Sequence, residues 1–431
     1  MPFEARPAQP RRIAVIGGGI SGLGAAYSLA ADHQVTLFEA EPRLGGHART
    51  VMAGKRGDQA VDTGFIVFNY ANYPNLVSLF EDLDVPVAQS DMSFSASLRG
   101  GALEYGLRDL KAVFAQKRNA VNPRFLRMLR DILYFNAHAL DRARDPSQSL
   151  GDFLDEMGTG AWFRDYYLLP LSGAIWSTPA EKIMDFPAYA LIRFFENHAL
   201  LNHTGQHQWY TVQGGSVEYV RRMAAALVGM GADLRTGCPV AGVRRRPGRA
   251  DVRPEGGEWE SFDDVIFATH SDDSLRLLTD PTPQEARALG AVAYQPNRVV
   301  LHNDVSIMPK RRACWSSWNY TEDAGKVMNQ IDLTYWMNSL QPIPQDDPLF
   351  VTLNSTRAIR EEAIFDEVTL RHPVYDLGAL EAQAALAARN GTLNTWFCGA
   401  WMKNGFHEDG LASAVEVAGA LQARAAVERA A

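Results

Sequence analysis

The chain has 431 residues, which is too long for one simple core and predicts two interleaved domains. Its formal net charge of −8 argues against nucleic acid as a partner of the whole surface. The 3 cysteines, Cys238, Cys314 and Cys398, lie far apart without a CxxC spacing. They argue against a disulfide framework or a structural zinc site and favour a reducing, cytoplasmic setting.

The N-terminal region predicts neither a secretory leader nor a membrane span. Residues 1–12 carry charge, and no apolar core with a cleavage site follows them. The uncharged stretch 13–31 approaches the length of a membrane-spanning helix. Its glycines are clustered around a turn signal and would sustain a continuous helix poorly, so we predict strand and loop for half of it.

A dinucleotide-binding unit is predicted next. The β-branched run 13–16 reads as a buried parallel strand and leads into the motif GxGxxG at Gly17, Gly19 and Gly22. A helix is predicted from about residue 21 to 31, and a second strand at 34–38 ends in the acid Glu39. Glycines at these positions permit the turn, the approach of a pyrophosphate and close helix packing, while the acid suits a ribose hydroxyl. The predicted contacts are Gly17, Gly18, Gly19, Ser21, Gly22, Glu39 and Ala40.

The segment after Glu39 carries the resemblance to a family. Arg43, Gly45 and Gly46 form an RxGG segment, followed by His47. This segment resembles the flavin-containing amine oxidase superfamily, which includes protoporphyrinogen oxidases and carotenoid desaturases. In that superfamily the segment wraps the FAD pyrophosphate, and many members have Arg where this chain has His47. Close backbone approach at the glycines and bidentate pairing by Arg43 suit phosphate oxygens.

Later segments extend the resemblance over the whole chain. Residues 62–66 resemble the loop that passes the flavin ring, and 396–401 with 410–413 resemble the segments that finish the flavin site. The resemblance implies a final helix, about 411–428, whose N-terminus points at the flavin pyrimidine and favours reduced flavin. It also implies non-covalent FAD. The further cofactor residues that it implies are Thr63, Gly64, Phe65, Ile66, Val240, Gly399, Gly410, Leu411 and Ser413.

The expected fold is α/β, with a Rossmann-type FAD-binding domain of the amine oxidase kind and an inserted substrate domain of sheet and helices. We predict the FAD-binding domain at 1–75, 205–285 and 385–431. The substrate domain is predicted at 76–204 and 286–384. No second GxGxxG occurs, so a separate NAD(P)H domain is not expected.

Segments in the second half resemble one bacterial branch of the superfamily, which is associated with cyclopropane-fatty-acid-synthase-like methyltransferases. They lie at 297–304, 315–320, 372–376 and 405–410. Some relatives introduce a double bond into a methylated acyl chain on the way to furan fatty acids, so the resemblance implies lipid chemistry and a methyltransferase partner.

Two sets of residues are candidates for the chemistry. Trp315, Trp318 and Tyr320 are predicted to line an apolar substrate tunnel, although aromatic runs in strands also serve as packing. The predicted catalytic residues are His407, Glu408 and Trp401. Acids before a helix also cap it and complement its dipole, so capping is the alternative for Glu408. No spacing of His, Cys or acid residues suggests a metal.

A basic stretch is predicted to meet a membrane. Residues 108–130 contain seven Lys and Arg residues but only one acid, and apolar side chains are interspersed among them. On helices this pattern suits an anionic bilayer, and the alternative is a solvated basic face. The predicted location is therefore cytoplasmic, at the inner face of a membrane.

The predicted reaction is transfer of a hydride from an sp³ C–H bond to N5 of FAD, with a methyl-branched fatty acyl chain as substrate. Three alternatives remain open. They are an amine or polyamine oxidase, an isoprenoid or carotenoid-type desaturase, and a flavin-binding partner of a lipid methyltransferase without turnover of its own.

Overall fold

The computed structural model describes residues 10–176, 180–198, 200–201, 207–323 and 332–430. Its strands are β1 Arg12–Ile16, β2 Gln34–Phe38, β3 Thr50–Ala53, β4 Gln59–Asp62, β5 Val67–Asn69, β6 Val87–Ser90, β7 Phe94–Leu98, β8 Leu103–Gly106, β9 Trp209–Val212, β10 Asp233–Arg235, β11 Val240–Arg246, β12 Arg249–Pro254, β13 Glu260–Phe262, β14 Asp264–Phe267, β15 Ala293–His302, β16 Trp318–Thr321, β17 Leu333–Trp336, β18 Phe350–Leu353, β19 Ile364–Val374 and β20 Thr395–Phe397.

The α-helices are α1 Ile20–Leu29, α2 Pro74–Asp82, α3 Leu110–Val113, α4 Pro123–Arg142, α5 Leu150–Met157, α6 Ala161–Phe163, α7 Leu169–Trp176, α8 Ala180–Ile183, α9 Ala188–Asn197, α10 Val217–Gly229, α11 Ser271–Leu277, α12 Pro283–Ala291, α13 Met337–Leu340, α14 Leu377–Ala387 and α15 His407–Ala430. A π-helical turn, Arg164–Leu168, joins α6 to α7. Among the helices in these ranges, none is long and apolar enough to cross a bilayer.

A five-stranded parallel sheet forms the dinucleotide-binding half, in the order β10-β2-β1-β14-β20. The apolar run 13–16 is fully covered because β1 is the central strand. The glycine turn leads from β1 into α1, and α1 packs closely against α15. The predicted strand–turn–helix–strand unit is therefore present, and the α/β class is confirmed.

A seven-stranded mixed sheet forms the other half, in the order β19-β15-β18-β17-β16-β7-β8. Only the β16–β7 pair is parallel among its described ladders. A large hydrophobic cluster lies between this sheet and helices α4 to α9. β15 and β19 pair over ten residues of β15 and reach back towards the parallel sheet.

The predicted domain boundaries fall inside helices. The boundary at 75/76 lies within α2, whose buried side chains pack into the cluster around the parallel sheet. The boundaries at 285/286 and 384/385 lie within α12 and α14, which pack against each other beside β14. Sequence patterns show where strands begin. They do not show which hydrophobic core a helix packs against, because that depends on how its apolar face is placed in the fold. The boundary at 204/205 lies outside the described residues.

Candidate active site

The turn after β1 brings backbone atoms together as only glycine permits. Gly17 has a φ of +105°, and a Cβ atom there would lie 2.8 Å from the Ala268 carbonyl oxygen. A Cβ atom on Gly22 would lie 1.8 Å from the Gly17 carbonyl oxygen. Helix α1 can therefore begin directly at the turn, with Ser21 buried in its first turn. Helix N-terminal amides in this position suit the phosphates of a dinucleotide.

Glu39 follows β2 and lies beside the glycine turn. Its Oε2 accepts the N–H of Gly18 at 2.6 Å, and its Oε1 accepts the N–H of Glu41 at 2.7 Å. The Cys238 N–H donates to the Glu39 carbonyl at 2.8 Å, which brings the start of β11, with Val240, to the same edge. The Glu39 carboxylate is thus held at the glycine turn, and its contact with the ribose of an adenosine stays a prediction.

The RxGG segment forms a second layer against the glycine turn. The Gly45 N–H donates to the Gly18 carbonyl at 2.8 Å, and Gly46 has a φ of +55°. The Arg43 guanidinium donates to the Gly46 carbonyl at 3.0 Å and pairs with Glu41 at 3.0 Å. Arg43 thus shapes the loop that would wrap a pyrophosphate, and its own contact with phosphate stays a prediction.

Loop 63–66 is anchored by a buried carboxylate, Asp62. Its oxygens accept the hydroxyl of Thr50 at 2.6 Å, the N–H of Ser216 at 2.8 Å and the side-chain amide of Gln341 at 3.0 Å. Burial raises the pKa of Asp62 to about 6. One side chain therefore ties together β4, the start of α10 and the substrate half, and it fixes the loop predicted to pass the flavin ring.

His407 lies against this loop. A Cβ atom on Gly64 would lie 2.0 Å from the His47 carbonyl oxygen, which also accepts the Phe65 N–H at 2.9 Å. The Phe65 ring stacks on His407, and the Tyr219 hydroxyl lies 2.6 Å from His407 Nε2. Burial raises the pKa of Tyr219 and lowers that of His407 to about 3. His407 is therefore a neutral imidazole and a weak base, and it shares a hydrogen bond with the Tyr219 hydroxyl.

The chain returns to the flavin site through β20 and α15. The Gly399 N–H donates to the Ser413 hydroxyl oxygen at 2.9 Å. A Cβ atom on Gly410 would lie 2.9 Å from the Ser21 hydroxyl oxygen, and Leu411 is buried against α1. The N-terminal turns of α1 and α15 are therefore neighbours. Helix α15 begins four residues earlier than predicted, and its partial positive end joins that of α1.

Two predicted catalytic residues have structural contacts instead. The Glu408 carboxylate accepts the backbone N–H groups of Asn75 at 3.0 Å and Leu76 at 2.9 Å, and it caps α2. The Trp401 ring is only 2% exposed, and its Nε1 donates to the Thr269 carbonyl at 3.0 Å. These contacts favour the capping alternative for Glu408 and a packing role for Trp401, and the catalytic roles of both residues stay predictions.

The predicted tunnel residues separate into two places. Trp318 and Tyr320 lie on β16 and pack into or against the large cluster of the substrate half. Trp315 instead belongs to a small separate cluster with Phe350, and its Nε1 donates to the Pro309 carbonyl at 2.9 Å. Trp315 therefore packs in a different cluster from Tyr320, and the lining of one tunnel by all three aromatic residues stays a prediction.

Three further histidines meet beside the loop, and sequence reasoning missed them as a group. The His47 ring lies 5.4 Å from that of His372 and 5.9 Å from that of His270. The His270 ring stacks on Tyr294 at 4.3 Å, and the Asn297 amide lies 2.8 Å from His372 Nδ1. Burial lowers the pKa of His270 to about 4 and of His372 to about 3, and it lowers that of His47. This histidine cluster is uncharged at neutral pH.

A potential cation site beside the cluster already contains an arginine. His270, Asp272 and Asp273 are close enough to hold a metal ion within the part of the chain that the structure describes. The Arg371 guanidinium forms ion pairs with the carboxylates of Asp272 at 2.5 Å and Asp273 at 2.6 Å. Its guanidinium supplies the positive charge that these two carboxylates require.

An aromatic wall adjoins His407 on the substrate side. Phe406 stacks on Phe194 with ring centroids 4.7 Å apart, and Trp176 lies 4.8 Å from Phe194. The His198 ring also stacks on Phe194, with ring centroids 3.9 Å apart. Trp176 and Phe194 come from α7 and α9 of the substrate half, while Phe406 immediately precedes α15. The two halves of the molecule therefore meet through rings beside the predicted flavin position.

The cysteines do not offer a reactive thiol at this site. Cys398 is buried next to Gly399, and burial raises its pKa to about 12. The thiolate needed for covalent attachment is therefore suppressed, in keeping with the prediction of non-covalent FAD.

Comparison with known proteins agrees with this geometry. The sequence pattern of the flavin-containing amine oxidoreductases matches residues 20–421. Over 53 residues the chain is 51% identical to an L-amino-acid oxidase of Pseudechis australis, which covers 12% of this chain and 10% of that protein. An L-amino-acid oxidase of Protobothrops flavoviridis is 47% identical over 53 residues, covering 12% and 10%. The chain thus matches about a tenth of the length of these relatives.

Solved structures share the fold over nearly the whole chain. A redesigned putrescine oxidase has a TM-score of 0.70 and 18% identity, covering 97% of this chain and 100% of that one. A fatty acid isomerase from P. acnes has a TM-score of 0.68 and 14% identity, covering 95% and 98%. The glycine turn, Glu39 and the loop 63–66 fit FAD in such a fold. The chain belongs to the family of flavin-containing amine oxidoreductases and is an FAD-dependent oxidoreductase.

Proposed function

We propose that the protein desaturates methyl-branched fatty acyl chains of phospholipids. The observation that carries this proposal is the aromatic wall formed by Trp176, Phe194, His198 and Phe406, which adjoins the predicted flavin position. A saturated acyl chain offers only apolar surface for recognition. Burial of each CH₂ group against such a wall contributes about 0.8 kcal/mol, so several carbons suffice for binding.

The wall continues into the interior of the substrate half. Trp176 and Phe194 belong to the same hydrophobic cluster as Tyr320, and Phe406 packs against it. This apolar continuity suits a long chain better than a compact polar substrate. The fold itself is compatible with acyl substrates, since a solved structure that shares it is a fatty acid isomerase.

The chemistry on this proposal is a two-electron oxidation. Bound FAD supplies the acceptor for a hydride. One substrate C–H bond breaks with its electron pair leaving as hydride, the neighbouring C–H bond loses a proton, and a C=C bond forms between the two carbons. The proton passes to water, because the buried imidazoles of His270 and His372 are weak bases. An external oxidant, molecular oxygen or a quinone, then removes the two electrons.

The residues of the chain serve this reaction by position and exclusion of water. The loop anchored by Asp62 and the start of α15 would hold the flavin and the substrate in place. The wall presents the acyl chain, and uncharged imidazoles avoid a fixed charge beside the reacting carbon. Positioning of this kind accounts for a large share of rate enhancement in enzymes.

Anaerobic mixing tests the proposal. The purified holoprotein is mixed with phospholipid bearing methyl-branched chains, and the flavin absorbance is followed at about 450 nm, where oxidised flavin absorbs. We expect bleaching by the branched lipid and none by its unbranched counterpart. Bleaching by an isoprenoid alone would favour the isoprenoid desaturase, and stable FAD that no substrate reduces would favour a non-catalytic partner.

One observation favours an amine oxidase as the second candidate. The Asp409 carboxylate accepts the N–H of Phe406 at 2.9 Å, and burial raises its pKa to about 6. A carboxylate at the aromatic wall offers an ion pair to a cationic amine. In the same anaerobic assay, bleaching by a polyamine that is lost in D409N would establish this second function and remove the first.

A further inference from the structure

Residues 108–133 form a surface that we call the basic platform. Two of its apolar side chains are almost fully exposed: Leu110 at 77% and Val121 at 80%. Lys111 and Lys117 are exposed beside them in sequence. Among the described residues these are the two most exposed large apolar side chains, and basic residues lie near both in sequence.

Helix α4 continues the platform with two distinct faces. Phe125 and Met128 are fully buried in the cluster of the substrate half. Leu126 is 43% exposed and Leu133 is 53% exposed, and their spacing of seven residues places them on one face. The exposed Arg130 lies between them, four residues after Leu126. The outer face of α4 is therefore both apolar and cationic.

The charge of the platform opposes that of the chain. The whole chain has a net charge of −8. Within 108–133 the only acids are Asp109 and Asp131. Asp131 is buried, and its carboxylate pairs with two arginines of α4 and accepts the Gly160 N–H. The basic residues of the platform are Arg108, Lys111, Lys117, Arg118, Arg124, Arg127 and Arg130.

We propose that the basic platform docks on an anionic phospholipid bilayer, with Leu110, Val121, Leu126 and Leu133 entering the interface. Cations attract anionic headgroups. Insertion of the apolar side chains between these cations removes apolar surface from water and so favours binding to the bilayer. A nucleic acid would pair with the cations but offers nothing to the apolar tips, so the bilayer is favoured. This inference does not depend on the proposed function, because a protein can dock on lipid without oxidising it.

The docking site would lie over the substrate half. The inner face of α4 packs in the same cluster as Tyr320 and the aromatic residues of the wall. A protein held by the platform would therefore present its substrate half, and not its dinucleotide half, to the bilayer.

Vesicle flotation tests this proposal with the holoprotein. The probes are vesicles of phosphatidylcholine alone and of phosphatidylcholine with phosphatidylglycerol. We expect binding to the anionic vesicles only. The charge-reversal variant K111E/K117E/R124E should lower the partition coefficient about 100-fold, at roughly fivefold per lost cation. The variant L110S/V121S should lower it about 30-fold at unchanged net charge.

Matched controls lie on the dinucleotide half. R249E/R253E/R287E reverses three exposed cations, and V217S/V228S replaces two apolar residues that are 48% and 61% exposed. Both should bind as the parent does, and FAD content shows that each variant is folded. Equal binding by parent and platform variants, or preference for duplex DNA over vesicles, would overturn the proposal. Flavin reduction by lipid in detergent tests the proposed function separately.

Discussion

The rings of Phe65 and His407 stack with centroids 3.9 Å apart and planes 11° from parallel. Phe65 belongs to the loop after β4, and His407 begins α15, so two residues more than 300 positions apart in sequence are in contact. The stack leaves the imidazole buried and uncharged, with its pKa lowered to about 3. We therefore expect His407 to serve as a packing surface beside the predicted flavin position rather than as a proton acceptor.

The variant H407F tests this role. Phenylalanine keeps the stack on Phe65 and removes only the hydrogen bond to Tyr219. We expect retained FAD and a rate of flavin reduction within tenfold of the parent, because a base with a pKa of about 3 contributes little at neutral pH. A fall of a thousandfold in stopped-flow measurements, with FAD content unchanged, would restore His407 as a catalytic base.

Glu408 is expected to contribute stability. E408A leaves the N–H groups of Asn75 and Leu76 without their acceptor, which should cost about 1–3 kcal/mol of the free energy of unfolding. E416A on the exposed face of the same helix should change it by less than about 1 kcal/mol, since that residue makes a surface ion pair with Lys403. Thermal unfolding compares the two. An E408A protein of parental stability that fails to reduce its flavin would contradict the capping role.

Gly22 is expected to be required for FAD binding. In G22A the new Cβ atom meets the Gly17 carbonyl oxygen at 1.8 Å, so the turn or the start of α1 must move. The purified variant should lack the yellow colour of bound flavin. G419A is the matched control, because a Cβ atom there meets nothing within 4 Å, and it should stabilise α15 by about 1 kcal/mol. A yellow G22A protein with parental FAD content would refute this account of the turn.

Acid is expected to destabilise the fold through the histidine cluster. The folded-state pKa values of His270 and His372, about 4 and about 3, lie below their ordinary value of 6.5. The unfolded chain therefore binds more protons between these values, and stability falls as the pH drops from about 6.5 towards 4. Asp62 acts in the opposite sense, because its pKa is raised to about 6.

The variant H372Q separates these contributions. It removes one buried imidazole, so the fall in Tm between pH 7 and pH 4.5 should be smaller than in the parent. H138Q is the control, since His138 is exposed on α4. If parent and H372Q lose the same Tm on acidification, the cluster does not govern acid stability.

Local patterns predicted the dinucleotide unit well. The strand 13–16, the glycine turn and Glu39 are adjacent in sequence, so their geometry follows from a few neighbouring residues. Helix α15 begins four residues before the start that the family resemblance implies, and its first two residues are His407 and Glu408. Their side chains are satisfied by Tyr219 and by the start of α2, which no local pattern reveals.

The substrate side was less predictable because it is assembled from distant segments. His47 lies in a loop, His270 directly precedes α11 and His372 lies on β19, so only the fold brings their rings together. The stack of Phe194 on Phe406 likewise joins α9 to the segment before α15. An alternation of aromatic residues at 315–320 suggested one lining surface, yet Trp315 lies outside the cluster that holds Tyr320.

The central claim is acyl desaturation, and analysis of the lipid after a single anaerobic turnover tests it most directly. The holoprotein is mixed with an equal amount of phospholipid bearing methyl-branched chains, and the recovered lipid is examined by mass spectrometry. We predict one bleached flavin for each acyl chain that has lost two hydrogen atoms. Lipid recovered unchanged, while a polyamine bleaches the flavin and is itself oxidised, would contradict the account and identify an amine oxidase.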